Sequence, residues 1–155
     1  MARTEPEQRD EPGSMPPPRA PAAAAVPFVF ELEPARHLLR VTKRGFWDMA
    51  TLAAFTDAFR AALRRMKLEG GCRYCLVDAS AFAVQSADVM QGLQALVDSF
   101  APDCPARMAG ITGSKLGALQ ACHGLPHAHR RIFMTRQEAE AWLFADAGSS
   151  TTTAC

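Results

Sequence analysis

Residues 72–86 read Cys72-Arg73-Tyr74-Cys75-Leu76-Val77-Asp78-Ala79-Ser80-Ala81-Phe82-Ala83-Val84-Gln85-Ser86. The run from Tyr74 to Val77 is apolar, opens just after Gly70-Gly71 and stops at Asp78. That pattern predicts a short strand buried on both faces. A polar-apolar loop is expected from Asp78 to Gln85. Ser86 then suits the N-cap of a helix whose core face is Val89 or Met90, Leu93, Leu96, Val97 and Phe100. On the upstream side, Asp48 suits the N-cap of another helix. There Leu52, Phe55, Phe59, Leu63 and Met66 form one apolar stripe, and Gly70-Gly71 ends it. A buried strand between two such helices calls for crossover connections and a largely parallel sheet.

Moving outward, Phe28, Phe30 and Leu32 alternate with Val29, Glu31 and Glu33, the period of a half-buried strand. Pro34-Ala35-Arg36 makes a turn, and His37 to Lys43 reads as a second strand with Leu39 and Val41 on one face. So short a connection predicts an antiparallel hairpin. Toward the C-terminus, Arg107–Thr112 reads as a strand. Gly113-Ser114 opens a short helix with Leu116, Leu119 and Gln120. Arg131–Met134 is the last strand. Thr135 and Glu138 form a capping box for a final helix with Trp142 and Leu143 inward. The expected fold is α/β: a small mixed sheet, with an N-terminal β-hairpin, βαβ crossovers and helices packed on it.

The chain has 155 residues, of which 48% are hydrophobic and 21% charged, which suits one folded unit. Seven of the 11 prolines lie in the first 27 residues, beside Glu5, Glu7, Asp10 and Glu11 and before the first aromatic residue, Phe28. Such a segment buries too little apolar surface to offset its ordering entropy. Residues 1–26 are therefore expected to be a disordered Pro-rich arm, 27–146 the α/β domain and 147–155 a flexible tail. No stretch suits a signal peptide or a membrane span. Beyond the arm, 14 Lys and Arg face 12 Asp and Glu, so the near-neutral charge belongs to the domain itself. This balance argues against a nucleic-acid partner.

The expected element order is that of STAS domains. Leu38-Leu39-Arg40-Val41-Thr42-Lys43-Arg44-Gly45-Phe46-Trp47 resembles the strand-to-first-helix passage of bacterial SpoIIAA-like (STAS-like) proteins. Leu76-Val77-Asp78-Ala79-Ser80 resembles their central step into a switch loop. Arg131-Ile132-Phe133 with Glu138-Ala139-Glu140-Ala141-Trp142-Leu143 resembles their closing strand and helix. The resemblance covers about residues 27–146. It implies a regulatory domain that binds a protein partner, a kinase-like anti-sigma factor or similar, as an anti-sigma antagonist does. It also implies a phosphorylated serine at the position of Ser86, with Asp78, Gln85 and Asp88 in the switch loop. Ser80 is a second candidate phosphosite. The family usually carries an Asp-Ser pair where this chain has Gln85-Ser86, and the Ser-Ser-Gly continuation is absent. A phosphate on Ser86 would meet free N–H groups and the positive end of a helix dipole, although serine also caps helices for purely structural reasons.

Gly113-Ser114-Lys115 runs from a strand end into a helix, a candidate anion site that Arg130 or Arg131 reaches only if the fold brings them there. Phe46 and Trp47, just after Gly45, are candidate partner contacts. Cys72 and Cys75 have the spacing of a metal or redox pair. However, Cys75 falls inside a strand, whereas a redox pair opens a helix. The five cysteines are therefore expected to be buried or idle thiols in a reducing cytoplasm, with no metal. His123, His127 and His129 read as solvated loop histidines. No nucleophile, base and acid share a legible spacing, so no catalytic residue, cofactor or enzymatic activity is expected. The second reading is a small-molecule module for a lipid or nucleotide, with a pocket beside the sheet edge.

Overall fold

The structure, a computed structural model, describes residues 25–99, 105–124 and 129–145. Residues 1–24 of the expected arm and the expected tail 147–155 lie outside the described residues. So do Phe100, Cys104, His127 and Cys155.

Five strands and four helices follow in order: β1 (Phe28–Glu33), β2 (Leu38–Gly45), α1 (Met49–Leu68), β3 (Tyr74–Phe82), α2 (Ala87–Asp98), β4 (Arg107–Thr112), α3 (Lys115–Gly124), β5 (Arg130–Phe133) and α4 (Arg136–Leu143). One 3-10 turn, Pro34–Arg36, closes the hairpin between β1 and β2. The strands stand side by side in chain order. β1 is antiparallel to β2 and every later pair is parallel. Three successive crossovers thus step in one direction. With the right-handed connection that twisted sheets impose, such steps bring α1, α2 and α3 to one face.

Strand alternation carries this through to the side chains. Leu39, Val41, Cys75 and Met108 meet Leu52, Phe55, Phe59, Leu93 and Leu96 of α1 and α2 in the larger core. Leu38, Leu76, Ala109 and Ile111 point the other way and meet Ala139 and Leu143 of α4. An aromatic group fills the first core. Trp47 lies 4.9 Å from Phe55 and 4.8 Å from Phe82 between ring centroids, and Phe28 and Phe30 each lie 5.4 Å from Phe55. Gly92 lets α2 approach α1, since a Cβ there would stand 2.3 Å from the Leu52 side chain.

The expected helix caps form. Asp48 accepts from Thr51 N–H at 2.7 Å, Ser86 from Val89 N–H at 3.4 Å and Thr135 from Glu138 N–H at 3.3 Å. Three expectations change. The loop expected from Asp78 is instead a continuation of β3 to Phe82, because Arg44 and Gly45 pair with Ala81 and Phe82 while Thr112 pairs with Ala79. Ladder bonds on both sides override the local turn preference of Asp-Ala-Ser. Leu116 and Leu119 are exposed at 60% and 55%, because α3 turns Gln120 and Ala121 toward the body instead. Trp47 is 1% exposed and belongs to the core.

On the second face α4 is fastened by arginines. Arg40 pairs with both Glu33 and Glu140, and its guanidinium lies 2.8 Å from Glu140. Arg107 donates to the Trp142 and Ala145 carbonyl oxygens at the end of α4. Among the described residues no helix is long and apolar enough to cross a membrane.

Two glycines separate steric from conformational need. A Cβ on Gly113 would lie 2.1 Å from the Ser80 carbonyl oxygen, whereas Gly45 at φ +72° has open space around it. Gly113→Ala is expected to cost about 2–3 kcal/mol through forced strand displacement. Gly45→Ala is expected to cost about 1–2 kcal/mol through left-handed strain. Urea unfolding measures both. A Gly113→Ala protein as stable as the parent would show that β3 and the turn into α3 do not approach this closely.

Candidate functional site

The C-terminal ends of the parallel strands carry the connections into the helices, and one side chain joins two of them. Gln85 is 6% exposed. Its amide nitrogen donates to the Gly45 carbonyl at 3.0 Å and the Ala83 carbonyl at 2.6 Å, while its amide oxygen accepts from Trp47 N–H at 2.8 Å. Its backbone is paired in turn by Gln120, which accepts from Gln85 N–H at 2.9 Å and donates to the Gln85 carbonyl at 2.8 Å. The β2–α1 loop, the β3–α2 connection and α3 are therefore locked together by two amides.

This lock holds an apolar rim. Phe46 is 67% exposed and sits between Gly45 and Trp47. Val84 is 40% exposed and sits between Ala83 and Gln85. The backbone bond from Ala83 N–H to the Gly45 carbonyl, 3.1 Å, draws the two together. Ser86 follows at once, exposed, with its hydroxyl on the first turn of α2, and Asp88 is exposed in that same turn. Trp47 takes no part in the surface: its ring is enclosed by Phe28, Phe55 and Phe82, and its indole N–H donates to the Arg44 carbonyl at 3.0 Å. Of the expected contact pair, only Phe46 is exposed.

The other expected site residues lie apart from this rim. Asp78 is in β3, not in a loop, and it faces α4. Its carboxylate accepts from Ser80 N–H at 3.1 Å, from the Ser80 hydroxyl at 2.7 Å and from Arg136 at 2.8 Å. Partial burial would raise the Asp78 pKa, yet these bonds from Ser80 and Arg136 outweigh it and hold the group ionised. The Ser80 hydroxyl is thereby occupied. Asp88 is likewise helical, so only Gln85 of the three expected loop residues stands in a connection. Gly113 and Ser114 do precede α3, with Lys115 as its first residue, and the Ser114 hydroxyl accepts from Gly117 N–H at 3.0 Å. The arginines do not gather there. Arg130 donates to the Ala121 carbonyl near the end of α3, and Arg131 stacks over Trp142, 5.3 Å from its centroid, on the opposite face.

A second feature escaped the sequence reading. The alternation Leu39, Val41 continues to Lys43, which period two places on the buried face, and Lys43 is 8% exposed. Its ammonium lies 4.5 Å from the Phe82 ring centroid. Together with Arg130 it lines a cavity of about 80 Å³ between the sheet and α1–α3, walled by Phe55, Phe59, Leu93, Leu96, Met108 and Ile132. Ala79, Gly110 and Ala121 leave the space open. An adjoining compartment of about 40 Å³ shares Lys43 and runs to Gly113 and Gln120, beside the Gln85 lock. Burial lowers the Lys43 pKa to about 8, with Arg130 adding to the effect and Cys75 opposing it. Burial also lowers Arg130 to about 10. Among the described residues no carboxylate lines either compartment.

The cysteines divide. Cys72 and Cys75 are thiols outside any disulfide, and burial pushes the Cys72 thiol up to about 11, far from the thiolate a redox pair needs. Cys122 is disulfide-bonded, which corrects the expectation that all five are thiols. Among the described residues no three His, Cys, Asp or Glu side chains gather as metal ligands.

Two outcomes follow from this geometry. Gln85→Ala leaves the Gly45 and Ala83 carbonyls and the Trp47 N–H without their partner, at a cost of about 2–4 kcal/mol in urea unfolding. An effect under about 0.5 kcal/mol would mean water replaces the amide freely. Lys43→Met tests the buried charge. Lys43 is protonated in both folded and unfolded chains below pH 8, so its burial cost of about 3 kcal/mol is then fully present. Between about pH 8 and 10.5 the folded form is neutral while the unfolded form still holds its proton, so Lys43 makes stability rise with pH. Cys72, kept protonated in the folded chain up to about 11, works in the opposite sense and is common to both proteins. The excess stability of Lys43→Met over the parent should therefore shrink from pH 7 to pH 10. A constant gap would sink the assignment.

Comparison with known proteins agrees with this architecture. No protein-family model matches the chain. No curated protein matches it either. Among solved structures it is similar to an anti-sigma factor antagonist from Mycobacterium paratuberculosis, with a TM-score of 0.52 and 14% identity over 75% of this chain and 93% of that one. It is similar too to an uncharacterised protein of the DUF3478 family with a SpoIIAA-like fold from Shewanella loihica, with a TM-score of 0.56 and 16% identity over 80% of this chain and 99% of that one. The five-stranded mixed sheet and its four helices thus have a SpoIIAA-like α/β fold.

Proposed function

We propose that this domain is a non-enzymatic regulator that binds another protein through the rim around Ser86. One observation carries the reading: an exposed serine hydroxyl at the N-terminus of the 12-residue helix α2, flanked by the exposed Phe46 and Val84 on a frame locked by Gln85. An apolar side chain held out on a rigid frame costs little entropy to bury in a partner, and aromatic anchors dominate such interfaces. The similar fold of a protein named as an anti-sigma factor antagonist supports a kinase-like anti-sigma factor, or a protein built like one, as the partner.

Ser86 supplies the switch. Its hydroxyl oxygen accepts a single long bond, 3.4 Å from Val89 N–H, and is exposed to a kinase. A phosphate there would be stabilised by the first-turn N–H groups of α2 while placing about two negative charges beside Phe46 and Val84. A partner surface shaped for the neutral rim would be repelled. The Ser80 hydroxyl, bonded to Asp78, is the lesser candidate.

The test is a pull-down from the native host followed by titration of the captured partner. Ser86→Ala should retain binding. Ser86→Asp and Phe46→Ala should each weaken it by at least about tenfold, or about 1.4 kcal/mol. Equal binding by Ser86→Ala and Ser86→Asp would remove the switch, and equal binding by Phe46→Ala would remove the rim.

A further inference from the structure

Lys43 and Arg130 face one apolar cavity, and among the described residues no carboxylate neutralises them. Burying a cation without a counter-charge is costly, and folded proteins tolerate it where the charge is paired or put to use. The Phe82 ring offers Lys43 a cation–π contact at 4.5 Å, which eases its burial but leaves its three donors open. Arg130 spends one N–H on the Ala121 carbonyl and also keeps donors over. No Asp or Glu lines the cavity or the compartment beside it. The two cations repel each other across the space, with Cys75 as the other titratable group close to Lys43. Beyond them the wall is hydrocarbon and aromatic: Phe55, Phe59, Leu93, Leu96, Met108 and Ile132.

We propose that this cavity is a binding site for a small amphipathic monoanion, a carboxylate carried on an apolar tail. The carboxylate sits between the Lys43 ammonium and the Arg130 guanidinium, and the tail lies against the phenyl rings and leucines of α1 and α2. Both parts of the ligand are required. A bare anion would leave the apolar wall uncovered, and a neutral tail would leave the two charges unanswered. The cavity of about 80 Å³, with its neighbour of about 40 Å³, suits a short tail of about four carbons and excludes longer chains and bilayer lipids. It lies beneath the helices, and Arg130 and Ile132 of the edge strand β5 close one side of it. Phe46, Val84 and Ser86 line neither compartment.

The experiment uses the full chain alone, with butyrate, 1-butanol and inorganic phosphate as probes, read by calorimetric titration and by the melting temperature. Butyrate should bind and raise the melting temperature, and it should bind at least about tenfold more tightly than either butanol or phosphate. Lys43→Met should be more stable than the parent at pH 7 yet lose at least about tenfold in butyrate affinity, with butanol affinity unchanged. Ala79→Leu, which keeps both cations and fills the space, should lose butyrate binding as well. Absent butyrate binding would overturn the proposal. So would butanol or phosphate binding as tightly as butyrate, or butyrate affinity unchanged in Lys43→Met. A destabilised Lys43→Met protein would show that the lysine serves the fold, and would also overturn it.

Discussion

The Gln85 amide is the constraint on which the functional end of this domain depends. A sheet whose crossovers all step one way gathers its βα loops at one end, and each loop brings backbone groups that its own residues do not pair. Gln85 answers two carbonyls and one N–H from two of these loops, and Gln120 answers the backbone of Gln85 from α3. A buried amide can do this because it donates and accepts at one place without carrying charge. An aspartate at this position could not donate to the Gly45 and Ala83 carbonyls, so the frame requires an amide here.

The same one-way topology makes the two faces of the sheet unequal. Three helices cover one face and enclose the aromatic core; α4 alone covers the other, and there arginines supplement a small apolar contact. The larger face has more volume to fill than its side chains supply near β3, β4 and α3, where Ala79, Gly110 and Ala121 line the space that Lys43 and Arg130 enter.

Much of this was legible in the sequence, for definable reasons. The caps at Asp48, Ser86 and Thr135, the period-two run of Phe28, Phe30 and Leu32, and the stripe on α1 are local signals, and the elements form where they indicate. Misreadings occurred where tertiary partners outvote local preference. Asp78–Phe82 looks like a loop until β2 and β4 supply its ladder bonds. Trp47 follows a glycine and so reads as exposed, but it turns under the hairpin into a ring cluster built from β1, α1 and β3. Lys43 was available to the alternation rule that found Leu39 and Val41, and its charge masked it. The pairing of Gln85 with Gln120 spans 35 residues and has no local signature at all.

The lock also bears on how such a domain can diversify. Gln85 engages peptide groups, and its neighbours Phe46 and Val84 contribute only their backbone surroundings to the frame. Peptide groups are the same whatever residue carries them. The exposed side chains on this frame can therefore change one at a time without a compensating change in the scaffold. A lineage holding this glutamine is free to vary its rim while its architecture stands still.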